Sequence, residues 1–256
     1  MRRWLVAATV AALSSAGAVA YGNTNATTAQ TSGGLAVSPT LFSGTGAKAG
    51  PLGTAVVANH SSASLAITVT PRPWLESADG AVVPNRRKTL SSQVRLSATK
   101  FTLAPGASQN VDLTLLTTPS SGALYGALEV TGVPTDAAKH KGIVLGYRLV
   151  STLRLLPTTP KLSLSLAKAV KVSPKRAATL ALTNKGNTLD PVSGSFKIKG
   201  LGGSTSGSLT NVAIVPGDSI QLSLADKLAK GSYKATITLT QAKKRLVKTT
   251  RKFRVK

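Results

Sequence analysis

The chain has 256 residues, of which 42% are hydrophobic, 4% are aromatic and none is cysteine. The lack of cysteine excludes a disulfide framework and a thiolate metal site. Its 32 Lys and Arg residues against 8 Asp and Glu residues give a net charge of +24, which indicates an anionic partner without identifying it.

Residues 1–20 have the pattern of a secretory signal peptide. Arg2 and Arg3 precede an apolar run over residues 4–13, and the small residues at 18–20 resemble a cleavage site. An uncleaved anchor helix is the weaker alternative, because the run is shorter than the roughly 20 residues that a membrane span needs. No later stretch has transmembrane length, so no span is predicted in the mature chain. We therefore expect an exported protein, secreted or associated with the cell envelope, in which residues 21–34 form a flexible lead-in.

From residue 35 onward the apolar residues alternate with polar ones, and the runs are separated by Pro, Gly, Asn and Ser. A period of two predicts strands and few helices. Seven strands are predicted in the first half, at residues 35–42, 54–58, 65–70, 94–103, 110–116, 123–131 and 143–156. Seven strands in about this length suggest one β-sandwich, and the segment at 74–90, which contains Arg86, Arg87 and Lys88, is expected to be an exposed excursion.

The second half has the same pattern after a Pro-rich linker at residues 157–160. Strands are predicted at residues 162–166, 178–183, 192–198, 212–214, 220–224, 233–239 and 246–255. The predicted fold is therefore all-β, with two tandem immunoglobulin-like sandwiches at residues 35–156 and 161–256.

Two pairs of segments favour an internal duplication. TAVVANHSSASLAITV at 54–69 parallels ATLALTNKGNTLDPVSGSFKI at 178–198, since each contains a strand, a turn led by Asn and a second strand. TLAPGASQNVDLTL at 102–115 parallels AIVPGDSIQLSL at 213–224, with a Pro-Gly turn before a strand of period two.

Several segments of the first half carry a family resemblance. They are LAVSPTLF, AVVANHSSASLAITV, KFTLAPGASQNVDLTL, SSGALYGALEVTG and GIVLGYRLVSTLRLLP. With them, residues 35–156 resemble bacterial cell-surface proteins that have a peptidoglycan-binding immunoglobulin-like domain and, more distantly, the amino-terminal domain of periplasmic pilus chaperones. Such chaperones hold a client's terminal carboxylate with one basic residue on the first strand and one on the last. Arg154 matches the last-strand position, whereas VSPTLF contains no Arg or Lys.

The sequence shows no sign of catalysis. His60 and His140 lie in predicted turns, no two acidic residues form a close pair at a predicted strand end, and no G-x-S-x-G, P-loop, dinucleotide fingerprint or metal-ligand spacing occurs. We therefore expect no catalytic residues, no metal and no cofactor. A catalytic site assembled by loops from distant parts of the chain remains the alternative.

The positive charge is concentrated in the second half, where 19 Lys and Arg residues face only Asp190, Asp218 and Asp226. The closing segment KKRLVKTTRKFRVK is predicted to be a strand, with residues 247, 249, 251, 253 and 255 on one face. On this largely apolar face the charged Arg251 is the one misfit. The segment QAKKR is expected to form the hairpin connection before this strand. Edge protection by lysine is the alternative explanation for such charges. The candidate anion-binding residues are Lys243, Lys244, Arg245, Lys248, Lys252, Arg254 and Lys256.

The sequence therefore predicts a non-catalytic binding or structural module of the bacterial cell envelope. Its expected partner is an anionic cell-envelope polymer or a surface protein, and the scarcity of aromatic residues disfavours nucleic acid. The alternative is an assembly chaperone that binds a client strand at a sheet edge. For that function Arg148 and Arg154 on the long strand at 143–156 are the candidate edge or carboxylate-anchor residues, although such a strand more often pairs within its own sandwich.

Overall fold

A computed structural model describes residues 33–77, 80–139, 144–200 and 203–256. The described residues belong to one compact unit. The predicted signal peptide, nearly all of the predicted lead-in and His140 lie outside the described residues. Among the described residues, we find no helical segment with the length and hydrophobicity of a membrane span.

The fold is all-β, as the period of two predicts, and its strands form two sandwiches in tandem. Within the described residues, the first sandwich contains ten strands and one short 3-10 helix at Ala137–Lys139. Its strands are β1 (Leu35–Ser38), β2 (Leu41–Thr45), β3 (Gly50–Asn59), β4 (Leu65–Glu76), β5 (Val82–Pro84), β6 (Val94–Leu96), β7 (Lys100–Leu103), β8 (Ser108–Leu115), β9 (Leu124–Pro134) and β10 (Tyr147–Leu156).

Two sheets face each other in this sandwich. One has the order β1-β3-β8-β6, and the other has the order β2-β10-β9-β4-β5, with β7 also paired to β4. The alternating apolar residues of both sheets meet between them, for example Val57 and Leu113 from one sheet and Ile67, Leu128 and Leu153 from the other. All five are almost fully buried, which is the burial expected when two amphipathic sheets pack face to face.

Two predicted strands are each divided between the two sheets. Residues 35–42 form β1, which pairs antiparallel with β3, and then β2, which pairs parallel with β10. Residues 94–103 likewise form β6, which pairs with β8, and β7, which pairs with β4. The prediction of one continuous strand in each segment was wrong. The apolar alternation continues through the point where the chain passes from one sheet to the other, while the backbone changes its hydrogen-bonding partner.

The second sandwich has its own core, and the described part of it contains eight strands. They are β11 (Leu164–Leu166), β12 (Lys171–Val172), β13 (Ala178–Asn184), β14 (Val192–Gly200), β15 (Gly203–Val212), β16 (Ser219–Ala225), β17 (Gly231–Gln241) and β18 (Lys244–Val255). One sheet joins β11, β12 and β16 to β13, and the other has the order β15-β14-β17-β18.

The prediction for this half missed β12 and β15 and placed a strand at 212–214 that does not exist. Val212 is the last residue of β15, whereas Ile214 is a buried residue of the Pro-Gly connection. β15 has the sequence GSTSGSLTNV and is largely exposed, so it has no apolar alternation to detect. Its backbone ladder with β14 holds it in the sheet.

The two sandwiches contact each other through backbone and side-chain hydrogen bonds. Glu76 at the end of β4 accepts a hydrogen bond from the Val215 amide at 2.7 Å, and its own amide donates to the Asp218 carboxylate at 3.0 Å. On the other side, the Tyr125 hydroxyl donates to the Asn187 carbonyl at 2.9 Å. The predicted linker at 157–160 falls between β10 and β11.

Candidate functional site

The closing segment of the chain is a strand, and its predicted alternation is confirmed. On β18, Lys248, Thr250, Lys252 and Arg254 are exposed, while the intervening residues are half-buried and Val255 is buried. β18 pairs on one side with β17 and lies at the edge of its sheet. Its outward side chains therefore form a row along the sheet margin.

Arg251 faces the interior side of β18, as parity predicts, and it has polar partners there. Its Nε donates to the Ala167 carbonyl at 3.2 Å, and its Nη1 donates to the Thr249 hydroxyl at 2.6 Å. Ala167 directly follows β11 of the opposite sheet. The guanidinium therefore closes the open side of the sandwich, which explains a charged residue on an otherwise apolar face.

The hairpin before β18 is tighter than predicted. β17 continues to Gln241 and β18 starts at Lys244, so the connection is Ala242-Lys243 alone rather than all five residues of QAKKR. Both residues have positive φ, at 47° and 63°, as a two-residue type I′ turn requires. Lys244 and Arg245 thus belong to the strand, Lys243 lies at the turn, and Lys256 follows the strand end. All four are exposed.

The structure places further lysines beside β18 that sequence reasoning missed. Lys199 on β14 is opposite Lys234 on β17, and Lys234 is opposite Lys252 on β18. All three are exposed, and we call them the lysine row. The alternation of side chains along a strand would have assigned Lys199 and Lys234 to the outward face of their own strands. Their alignment with Lys252 depends on strand register, which the sequence does not contain.

The lysine row belongs to a larger surface without negative charge. Strands β14, β15, β17 and β18 contain no Asp or Glu. Exposed cations on the outer side of this sheet form what we call the basic face, which consists of Lys197, Lys199, Lys234, Lys248, Lys252 and Arg254.

The second candidate surface is the long strand β10. It pairs with β9 over its length, but β2 covers only residues 152–156 of its other side. The Thr152 amide donates to the Thr40 carbonyl at 2.8 Å on that side. Since amide directions alternate along a strand, the amides of Arg148 and Val150 point the same way. In the described part of the chain, no strand pairs with them there, so β10 has an open edge at residues 147–150.

An exposed apolar side chain lies just before this open edge. Leu145, two residues before β10, is 75% exposed, whereas the 45% exposed Val133 is on β9, which pairs with the other side of β10. Exposed apolar side chains beside an unpaired strand edge are typical of a surface that another chain covers.

The two arginines predicted on β10 have different environments. Arg154 is exposed and has no hydrogen-bond or ion-pair partner among the residues that the structure describes. Arg148 instead binds the carboxylate of Glu129, which Arg72 binds from the other side. Arg72 also donates from Nη1 to the carbonyls of Arg86 and Lys88 and so organises the predicted excursion.

Glu129 is 4% exposed, yet it remains an ionised partner. Burial alone would raise its pKa, but the hydrogen bonds and positive charges of Arg148 and Arg72 hold the pKa below its ordinary value. The Arg148 guanidinium is therefore engaged in the fold, and on β10 the free cation is Arg154 within the described residues.

A cleft of about 790 Å³ lies where the two sandwiches meet, and its lining includes Trp74, Tyr125, Lys185 and Asp218. Within the described residues, Asp218 is the only acidic residue in this lining, and no histidine is present. Glu76 is close to Asp218 but is 6% exposed, and His60 is an exposed turn residue. No group of three or more potential metal ligands occurs in the described ranges.

Comparisons with known proteins relate the chain to others by structure. No protein-family model matches the chain, and no curated protein matches its sequence. A solved structure of a chaperone–tip adhesin complex of CFA/I fimbriae biogenesis is 16% identical over 86% of this chain and 99% of that chain, with a TM-score of 0.51. The class 5 fimbriae chaperone CfaA is 15% identical, with 85% and 98% covered and a TM-score of 0.46. The Escherichia coli chaperone DraB is 13% identical, with 87% and 97% covered and a TM-score of 0.42.

At 16% identity, the similarity to the CFA/I complex concerns the fold alone. It agrees with the immunoglobulin-like sandwiches and with the distant resemblance to pilus chaperones that the sequence predicts. None of these three solved structures is described as peptidoglycan-binding, so that part of the resemblance stays a prediction. The chain is similar in fold to a structure from a fimbrial chaperone system.

Proposed function

We propose that this chain is an exported, non-catalytic assembly protein of the cell envelope that binds an extended strand of a client surface protein along the open edge of β10. The observation that carries the proposal is the partial coverage of β10, because β2 stops pairing at Thr152 while β10 continues to Tyr147. A client strand would continue this side of the sheet and pair with the outward amides of Arg148 and Val150.

The side chains near the edge suggest how a client would be recognised. Leu145 offers an apolar contact, and main-chain pairing adds affinity without sequence specificity. Arg154 offers a free positive charge for a client carboxylate. The similar fold belongs to a chaperone–tip adhesin complex, which is why a surface subunit is the client that we propose.

The expected contact with an anionic cell-envelope polymer involves a different surface. It concerns the basic face of the second sandwich and does not depend on β10. The two surfaces can therefore be tested separately, and loss of one leaves the other unchanged.

A pair of substitutions at Val150 tests the strand-binding proposal. Val150→Pro removes an amide that points outward and pairs with no described strand, and edge strands tolerate proline at such positions. Val150→Ala keeps the amide and shortens the side chain. Each variant and the wild type are used to capture proteins from the envelope fraction of the native host, after their melting temperatures have been compared. Wild type and Val150→Ala should retain the same exported surface protein, Val150→Pro should lose it, and Arg154→Ala should retain less. Equal capture by a folded Val150→Pro variant, or no captured surface protein with the wild type, would contradict the proposal.

A further inference from the structure

The lysine row is an unfavourable arrangement for the isolated protein. Neighbouring strands lie about 4.8 Å apart, and Lys234 is directly opposite both Lys199 and Lys252. Like charges in directly opposed positions of a sheet destabilise it. With no acidic residue on these four strands, no neighbour in the sheet neutralises the row.

Edge protection accounts for the charges on β18 but not for those on the central strands. A charge that prevents edge-to-edge association belongs on an edge strand, and the edges of this sheet are β15 and β18. Lys197, Lys199 and Lys234 lie on the central strands β14 and β17, while the other edge, β15, has no charged residue at all. The placement therefore favours an external anion that spans several strands.

The remaining side chains on this surface indicate which anion it fits. Beside the lysine row, Lys197, Thr236 and Thr250 lie opposite one another on β14, β17 and β18, and all three are exposed. Hydroxyl groups and lysines are donors that proteins use for phosphate oxygens. The aromatic residues of these strands, Phe196, Tyr233 and Phe253, have the inward parity, so no stacking platform for nucleic-acid bases is present.

We propose that the basic face binds a linear anionic polymer with a phosphodiester backbone and no bases. The polymer crosses the strands along the lysine row, with its phosphates between Lys199, Lys234 and Lys252. Lys197, Lys248 and Arg254 contact phosphates on either side, and the hydroxyls of Thr236 and Thr250 donate hydrogen bonds. Binding removes the mutual repulsion of the lysines, which adds to the affinity.

The test compares two triple variants of equal charge. In the face variant, Lys199, Lys234 and Lys252 are changed to Gln. In the control variant, Lys171, Lys175 and Lys185 are changed to Gln, because these exposed lysines lie on or beside β12 and β13 of the opposite sheet. The probe is poly(glycerol phosphate) of defined length, and its affinity is measured by calorimetry across a series of salt concentrations.

The logarithm of the wild-type affinity should fall linearly with the logarithm of salt concentration. Each phosphate contact on a flexible chain contributes a slope of about −0.7, so the face variant should have a slope smaller in magnitude by about two. The control variant should keep the wild-type slope, and changing the three row lysines to Arg should restore it. The face variant should also melt at a higher temperature than the control variant.

Three results would overturn the inference. Equal loss in the two Gln variants would show a response to net charge alone, and undetectable binding of the probe to the wild type at low salt would remove the site. Tighter binding of poly(dT) or of polygalacturonate with a matched number of charges would replace the proposed polymer with nucleic acid or a polycarboxylate.

Discussion

Asn59 and Asn184 show how single side chains stabilise each sandwich. Both are completely buried. The Asn59 amide nitrogen donates to the Leu103 carbonyl at 3.0 Å, and the Asn184 amide nitrogen donates to the Ile214 carbonyl at 2.8 Å. In each half the asparagine thus joins the Asn-led turn to the Pro-Gly turn, so the two sequence matches that favour duplication correspond to one repeated contact.

Removing this contact should be costly in either half. Asn59→Ala or Asn184→Ala leaves buried carbonyl groups without a donor, and each change should lower the free energy of unfolding by about 2–3 kcal/mol. Urea denaturation followed by circular dichroism gives this quantity. Asn110→Ala, at an exposed position of β8, serves as the control and should change it by less than about 0.5 kcal/mol. Similar small effects at all three positions would show that the buried amides do not stabilise the fold.

At the scale of single elements, the turn between β17 and β18 contains residues poorly suited to their backbone conformation. Ala242 and Lys243 both have positive φ, which costs a residue with a side chain about 1–2 kcal/mol. Asn and Gly are the residues that type I′ turns prefer.

The double substitution Ala242→Asn and Lys243→Gly should therefore stabilise the second sandwich by about 1 kcal/mol, since the gain in the turn exceeds the entropy that glycine adds to the unfolded chain. Differential scanning calorimetry should show a higher melting temperature. The same pair of residues placed at Thr236 and Ile237, within β17, is the control and should destabilise the protein. A lower melting temperature for the turn variant would mean that the hairpin does not form this turn.

The strands that the sequence predicted best are those that bury one face and expose the other. β13 and β18 were located within about two residues, because burial of one face imposes the period of two on their side chains. It failed where backbone pairing, rather than side-chain burial, determines structure: at the corners after Ser38 and Leu96, and along the Ser- and Gly-rich β15. The extension of β4 to Glu76 was missed for a similar reason, since the residues just before Glu76 are only partly buried and do not alternate clearly between buried and exposed.

At the scale of the whole molecule, Glu76 links the two sandwiches in a way that depends on its charge. Its Oε2 accepts the Val215 amide, while its Oε1 is buried without a hydrogen-bond partner in the described structure. Burial raises the pKa of this carboxyl above its ordinary value of 4.5, the Val215 amide opposes that rise, and the nearby Asp218 charge adds to it.

This raised pKa gives a pH dependence of defined sign. A folded state that binds the Glu76 proton more tightly than the unfolded state loses stability as pH rises from about 4.5 through the raised pKa, and the loss is constant above it. Glu76→Gln cannot ionise, so its stability relative to the wild type should increase with pH across that window and then level off. Parallel urea titrations of both proteins at several pH values measure the difference, in which other groups cancel. A difference that is flat or falls with pH would contradict the assignment.

The candidate surfaces were predicted to different extents. Parity placed Lys248, Lys252 and Arg254 on the outer side of β18, because alternation along one strand is a local property. The lysine row was not predicted, and a partner-binding edge on the strand at 143–156 was predicted only as the alternative, since both depend on which residues of distant strands are paired. The Arg148–Glu129–Arg72 cluster was missed for the same reason.

Residue-resolved hydrogen exchange of the purified protein shows whether the edge of β10 is open, and it can be measured without knowing the client. We expect fast exchange of the Arg148 and Val150 amides, which point away from β9, and slow exchange of the Leu149 and Ser151 amides, which point toward it. Protection of all four amides to the same degree would mean that this edge of β10 is already paired, and it would contradict the proposed binding of a client strand.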